Sequence, residues 1–266
     1  MSKVLILGCG PAGLMSAHAS SMGDHDVIIV SKARKSYMRG AQYLHEPIPL
    51  ATPPESGFRV SYELRGSVSG YREKIYGRDY RGTVSPEEVS DSHLGYDIRQ
   101  TYDWLWETYG DYVFDEPDIG EANKLDKILE WAKADYVIST VPAHLLCIDP
   151  THRWKSEQIW STSAQEKHEL FYPVPINTVI CNGEESPAWY RAANIQGHLT
   201  VEWPSDRKPP IPGIVSVEKP ISTTCDCYPD IARMGRYGQW KKGVLSHTAF
   251  AETRSLLSQP KQMKLL

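Results

Sequence analysis

Four apolar residues, Val4-Leu5-Ile6-Leu7, run without a break into Gly8-Cys9-Gly10-Pro11-Ala12-Gly13, and a stretch rich in small residues, 14–19, follows at once. An unbroken apolar run of this kind is the pattern of a buried parallel strand. The glycines let the backbone turn sharply and come close to a pyrophosphate, and the helix that starts there offers N–H groups and a positive dipole end to phosphates. A bare G-x-G-x-x-G recurs in many turns. Its position between a strand and a helix is the context that dinucleotide binding requires, which makes Gly8, Gly10, Pro11, Ala12 and Gly13 the first candidate site residues.

The helix is expected to end near Met22-Gly23, and Asp26-Val27-Ile28-Ile29-Val30 reads as a second buried strand that completes a β-α-β unit. An acidic residue at the end of that strand, about 20 residues past the glycines, would bond a ribose hydroxyl. Position 31 is serine, followed by Lys32-Ala33-Arg34-Lys35. Without the carboxylate, NADPH becomes a rival to FAD, with Ser31 and Lys32 placed at the nucleotide. The same basic run also reads as a solvated loop.

Length and composition set limits. At 266 residues the chain can bury a real core, as one large domain or two interleaved ones. A net charge of -4 argues against a general nucleic-acid-binding surface. The N-terminal apolar run is shorter than the roughly 7–15 residues of a signal h-region, and nothing later approaches the roughly 18 of a membrane span. A cytoplasmic protein with no membrane partner is expected. The five cysteines are odd in number and scattered, which makes no disulfide framework. Cys225-Asp226-Cys227 has no second Cys or His pair at zinc spacing nearby, so these read as buried or loop thiols and no metal is predicted. Eight Trp and fifteen Tyr against four Phe point to half-wet aromatic positions, as in a ligand cleft or an interface. The partners expected are a small-molecule substrate and, where the chain pairs, a homodimer mate.

Further along, residues 58–64 alternate at period two, Gly66 to Gly70 reads as a turn, and 71–76 reads as the return arm of an antiparallel hairpin. Residues 96–110 fit a helix with Ile98, Thr101, Tyr102, Leu105 and Tyr109 on one face, and Arg99 sits among its aromatics. A short helix over 125–134 leads to an apolar strand over 135–140, broken by Val141-Pro142. If that strand joins the first sheet, Thr140 and Pro142 lie at its carboxyl end, where open α/β sheets bind ligands. Segments 175–181, 189–193 and 198–203 read as strands of a second, antiparallel unit. The far end repeats the strand-glycine-helix pattern: Ile231-Ala232-Arg233-Met234, then Gly235-Arg236-Tyr237-Gly238, then a helix through about residue 257.

The N-terminal Gly8-Cys9-Gly10-Pro11-Ala12-Gly13, the segment Gly40-Ala41-Gln42-Tyr43-Leu44-His45, the strand Val137-Ile138-Ser139-Thr140 and the terminal Met234-Gly235-Arg236 come in the order seen in UDP-galactopyranose mutase and its relatives, the flavin amine oxidases. The chain resembles a shortened member of that superfamily. The resemblance implies an FAD-binding domain assembled from separated segments, with backbone at Gly40, Ala41 and Gln42 near the flavin ring and Gly235 and Arg236 closing over it. Ser31 stands where the family has glutamate, and Ala41-Gln42 where it has Pro-His.

The fold class expected is therefore α/β. Residues 1–46, 120–150 and 225–266 form a discontinuous Rossmann-like FAD/NAD(P)-binding domain, and 47–119 with 151–224 form an inserted, mainly antiparallel α+β substrate domain. The function expected is FAD-dependent oxidation of an amine or other small polar substrate by hydride transfer to flavin. The alternatives are a non-redox, mutase-like flavoenzyme and an NADPH-binding reductase or degenerate nucleotide-binding protein. His45 is the candidate proton carrier, since an ordinary imidazole titrates near neutrality. Arg99 and Arg191 are candidate anion clamps, with Tyr43 and Tyr190 beside the substrate.

Overall fold

The computed structural model describes residues 1–32, 34, 43–77, 87–116, 119–121, 123–162 and 174–259, with backbone alone at 87 and 88. In chain order the elements are β1 (Lys3–Leu7), α1 (Pro11–Ser21), β2 (Asp26–Ser31), β3 (Phe58–Gly66), α2 (Val68–Tyr76), α3 (Glu87–Ser90), β4 (Ser92–Gly95), α4 (Ile98–Tyr109), β5 (Val113–Asp115), α5 (Lys124–Ala132), β6 (Tyr136–Ser139), β7 (Trp154–Ser161), β8 (Thr178–Gly183), β9 (Arg191–Ile195), β10 (His198–Pro204), β11 (Val215–Thr223), β12 (Ile231–Arg233), α6 (Gly235–Gln239) and α7 (Thr248–Ser258).

They build two sheets. The first has the order β12-β6-β1-β2-β5, and every neighbouring pair is parallel. Val4 to Leu7 are fully buried at its centre. One face packs Val4, Ile6 and Ile29 with Leu14 and Met15 of α1 and Leu105 of α4, and the other packs Leu5, Leu7 and Val30 with Leu125 and Ile128 of α5. From β1 the chain moves outward through β2 to β5 and then returns to β6 on the opposite side of β1. The β1/β6 boundary is thus a topological switch point, whose carboxyl edge is where such sheets leave a ligand crevice.

The second sheet has the order β11-β7-β10-β9-β8-β3-β4. It is antiparallel except for β3 beside β8, which run parallel. This is the α/β architecture expected, with the one parallel pair as a departure.

Three expectations need correction. The supposed return arm of the hairpin is helix α2. Ser67 caps it by accepting the Gly70 N–H at 3.0 Å, and Val68, Tyr71 and Ile75 face one cluster at helical spacing. The glycines serve close approach, since a Cβ on Gly70 would lie 2.0 Å from the Gly183 carbonyl oxygen. Residues 98–115, assigned to the inserted domain, belong with the first sheet: β5 pairs with β2, and Tyr109 of α4 reaches His18 of α1 at 2.8 Å. The terminal helix is divided into α6 and α7, with Trp240 at the C-cap of α6 in a left-handed conformation (φ 49°). Among the described residues, no helix is long and apolar enough to cross a membrane.

Candidate functional site

The carboxyl edge of β1 is a cradle built from three separated stretches of chain. Gly8 has φ +103°, open to glycine but strained for other residues, and a Cβ there would lie 2.7 Å from Thr140 Oγ1. A Cβ on Gly13 would lie 1.9 Å from the Gly8 carbonyl oxygen, so the first turn of α1 rests directly on the loop. Thr140 Oγ1 donates to the Leu7 carbonyl at 3.1 Å, fixing the loop after β6 to β1. The third stretch enters through Met234, whose N–H donates to Ser139 O at 2.9 Å. Gly235 follows at φ +70°, where a Cβ would meet Ala12 Cβ at 2.8 Å. The structure therefore brings Gly8, Pro11, Ala12, Gly13, Thr140 and Gly235 together, with Pro142 capping the short 3-10 turn Ala143–Leu146 just beyond.

The open side of the cradle is at Gly10. It is the N-cap of α1, its first turn carries no acidic residue, and among the described residues no side chain caps the helix and a Cβ at Gly10 would meet nothing within 4 Å. A helix start of this kind presents backbone donors and a positive dipole end to an anion. Nearby, Arg236 Nη2 donates to Pro220 O at 3.3 Å, while its buried Nε has no hydrogen-bond partner among the described residues, nor does Ser139 Oγ. The open space above Gly10 at an uncapped helix start fits a nucleotide pyrophosphate.

Ser31 is placed differently from a ribose-binding carboxylate. It is buried, and its Oγ accepts the Cys9 N–H at 3.0 Å, which holds the glycine loop. Lys32 is exposed, and its carbonyl accepts from Cys9 Sγ at 3.2 Å. Arg34 pairs with Asp103 and lies over the rings of Tyr102 and Trp106 at 5.9 and 5.6 Å. Gly40, Ala41 and Gln42, expected at the flavin face, lie outside the described residues.

His45 and Tyr43 stand in an aromatic group the sequence only half disclosed. Their rings are 4.7 Å apart, and His45 also lies 5.7 Å from His247 and 6.0 Å from His93. Tyr43 Oη is 3.1 Å from Tyr62 Oη. Partial burial, then the neighbouring His247 and His93, hold the His45 imidazole below its ordinary titration range, so it is the neutral, proton-accepting form that prevails at pH 7. His93 and His247 come from β4 and from the residue before α7; no local pattern marked either.

The two proposed anion clamps have different settings. Arg99 Nη1 and Nη2 are buried without a hydrogen-bond partner among the described residues. Burial lowers the guanidinium's pKa, opposed by Asp97. Arg191 is instead engaged within the second sheet: Nη2 donates to Tyr71 Oη at 2.9 Å, and Nη1 lies 3.7 Å from Glu202 Oε2. Glu202 in turn accepts from Lys219 Nζ at 2.9 Å through both oxygens, and Lys219 also donates to Tyr190 Oη at 3.2 Å. Tyr190 and Arg191, expected at the substrate, are thus members of one internal network. A cavity of about 1210 Å³ opens on the second sheet between α2, β7 and the end of β10, and none of the cradle residues line it.

The cysteines gather in a way their spacing did not suggest. Cys225 and Cys227 meet Cys147 and His152, with the four donor atoms all within 4.8 Å of one another. Cys147, Cys225 and Cys227 are the loop thiols expected, half-buried, but folding brings Cys147 and His152 beside Cys225 and Cys227 from the far side of β7 to β11 in the sequence.

No protein-family profile matches the sequence, and no curated protein matches it either. The fold, however, is shared with solved flavin-dependent enzymes and flavoproteins. A flavin-dependent halogenase from a Brevundimonas species superposes with a TM-score of 0.56 at 9% identity, over 97% of this chain and 71% of that one. The 2,6-dihydroxypyridine-3-hydroxylase of Arthrobacter nicotinovorans gives 0.54 at 10% identity, over 96% and 82%. A flavoprotein/dehydrogenase from Cytophaga hutchinsonii gives 0.56 at 13%, over 95% and 76%. These likenesses establish shared architecture; they are with halogenases, hydroxylases and a dehydrogenase rather than with the mutase and amine oxidases that the motifs resemble.

Proposed function

We propose that the chain is an FAD-dependent oxidoreductase acting on a small polar substrate, an amine or an anion-bearing molecule, by hydride transfer. The observation that carries this is the meeting of three distant segments at one cradle through contacts only small residues allow: Gly8 on Thr140, Gly13 on Gly8, and Gly235 on Ala12. FAD, when bound, supplies the hydride-accepting chemistry, and the protein supplies orientation and charge. The α1 N-terminus at Gly10 to Gly13 would hold the pyrophosphate, with Gly235 and Arg236 beside it. Neutral His45 would accept a substrate proton, and Arg99 would bind a substrate carboxylate or phosphate. The NADPH reading has less support, since Arg34 is already engaged with Asp103 and Ser31 with the Cys9 amide.

The named activities of the hydroxylase and halogenase favour a second reading at the same site, oxygen-dependent modification of an aromatic ring. The deciding experiment is the absorption spectrum of freshly purified protein, with the released cofactor identified by mass. A yellow protein releasing FAD is expected. A colourless protein whose melting temperature rises with NADPH and not with FAD would sink the proposal. Bleaching of the flavin by substrate alone, without oxygen, favours hydride transfer; a need for both a reductant and oxygen favours the second reading.

A further inference from the structure

Two of the chain's passages between the sheets lie side by side. The chain leaves the first sheet through residues 147–153, between the turn Ala143–Leu146 and β7, and it returns through 224–230, between β11 and β12. The two crossings are laced together, since Arg153 N–H donates to Thr224 Oγ1 at 3.0 Å and Thr224 N–H donates to Arg153 O at 3.2 Å. Beside this lacing lie Cys147 and His152 from the outgoing crossing and Cys225 and Cys227 from the returning one.

We propose that these four side chains form a structural zinc site that staples the crossings together. A tetrahedral centre with Zn–S near 2.3 Å and Zn–N near 2.0–2.1 Å places its sulfurs about 3.8 Å apart and sulfur about 3.6 Å from nitrogen. Cys147 Sγ lies 3.9 Å from Cys227 Sγ, and His152 Nδ1 lies 3.3 and 3.6 Å from these two sulfurs. The imidazole is turned for ligation through Nδ1, because Nε2 faces Asp226 Oδ1 at 3.4 Å and Asp149 Oδ2 at 3.6 Å. Carboxylates behind a ligating histidine fix its orientation and tautomer. Asp149 is itself held, accepting from Thr151 N–H at 2.8 Å and Thr151 Oγ1 at 2.7 Å.

Charge and softness select the ion. Three thiolates and a neutral imidazole are soft donors that suit zinc and suit magnesium or calcium badly. Three thiolates around a dication leave one negative charge, and the Arg233 guanidinium answers it, 3.4 Å from Cys225 Sγ and 2.7 Å from the Cys227 carbonyl. Four protein ligands complete the tetrahedron and leave no open position, which is the mark of a structural rather than a catalytic centre. Arg233 belongs to β12, two residues before Gly235, so the staple would brace the stretch that delivers the third wall of the cradle.

The test is metal analysis of the full chain purified under reducing conditions without chelator, independent of whether flavin is bound. One zinc per chain is expected, with cobalt replacement giving the strong visible bands of tetrahedral thiolate coordination. Cys227→Ser and His152→Ala should each lose the bound zinc. Should those variants fail to fold, titration of chelator-treated wild type with cobalt decides the matter by itself. No stoichiometric metal and no tetrahedral cobalt spectrum would overturn the proposal, as would a Cys147–Cys227 disulfide found by mass in protein purified with its thiols protected.

Discussion

The two sheets treat polar groups in opposite ways. At the carboxyl edge of the parallel sheet, among the described residues, donors are left unanswered: the uncapped start of α1, the Nε of Arg236, and on α4 the two terminal nitrogens of Arg99. Within the mixed sheet the charges are answered by one another. Glu202, with its side chain 4% exposed, takes both of its oxygens to Lys219, and Arg191 is shared between Glu202 and Tyr71. A buried charge with partners serves the fold, and its loss strands the partners. A buried donor without one is a cost that a ligand can relieve. The difference separates two arginines that look alike in sequence: Arg191 is held within the fold, and Arg99 is left as the one that, under the proposed function, would meet a ligand.

The sharpest way to break that contrast is Glu202→Ala. It leaves Lys219 buried without its anion and should cost about 3–5 kcal/mol, read as a lower urea midpoint. The same residue sets an acid limb. Burial pushes the Glu202 carboxyl up, but Lys219 and Arg191 outweigh it and hold it at about 2. A folded-state pKa below the unfolded one contributes stability above the ordinary carboxylate range that is lost as pH falls through the folded value. Wild type should therefore lose stability from about pH 4.5 down to about pH 2, and Glu202→Ala should flatten part of that slope. An unchanged slope would mean that the network is not ionised as described.

A pair of glycine substitutions separates fold from ligand within the cradle itself. Gly13→Ala drives a Cβ to within 1.9 Å of the Gly8 carbonyl, an overpacking that should cost about 1–3 kcal/mol. A Cβ at Gly10 would meet nothing within 4 Å among the described residues, so without cofactor Gly10→Val should cost only the N-cap preference of glycine over valine, about 1 kcal/mol or less. Its branched side chain fills the approach to the α1 N-terminus, and flavin retention should fall at least tenfold. Equal flavin affinity in Gly10→Val and wild type would place the nucleotide elsewhere.

How legible each region was follows from how local its causes are. The β1 turn could be read because a buried strand, a glycine loop and a helix start all declare themselves within about sixteen residues. The buried face of α4, from Ile98 to Tyr109, could be read from helical spacing alone. By contrast β11 carries Pro220 and a register shift between Pro220 and Ser222, which hide a nine-residue strand behind the residue least suited to one. Gly66 and Gly70 imitate a hairpin turn, but Gly66 ends β3 at φ +70° and Gly70 lets α2 lie close to the end of β8, a contact that exists only after folding. The thiol cluster was beyond reach for the same reason, since Cys147 and Cys227 are 80 positions apart. The charged row in the mixed sheet was visible as residues, yet nothing in its spacing told which charges would find partners.

The smallest expected effect on stability is also the one that bears most directly on ligand. Replacing Arg99 with methionine removes a buried cation whose terminal nitrogens have no hydrogen-bond partner among the described residues, while the aliphatic stem's packing is kept. Melting temperature should stay level or rise slightly, the reverse of what Arg191→Met should do to the Tyr71 and Glu202 network. Phosphate or sulfate at millimolar concentration should raise the melting temperature of wild type and not that of Arg99→Met. Charge-assisted hydrogen bonds of about 1.5–3 kcal/mol correspond to a roughly 10- to 100-fold weaker hold on an anionic substrate, read as a rise in KM with kcat little changed. A large fall in stability on Arg99→Met would show that its guanidinium already has a structural partner, and the contrast between the two arginines would collapse.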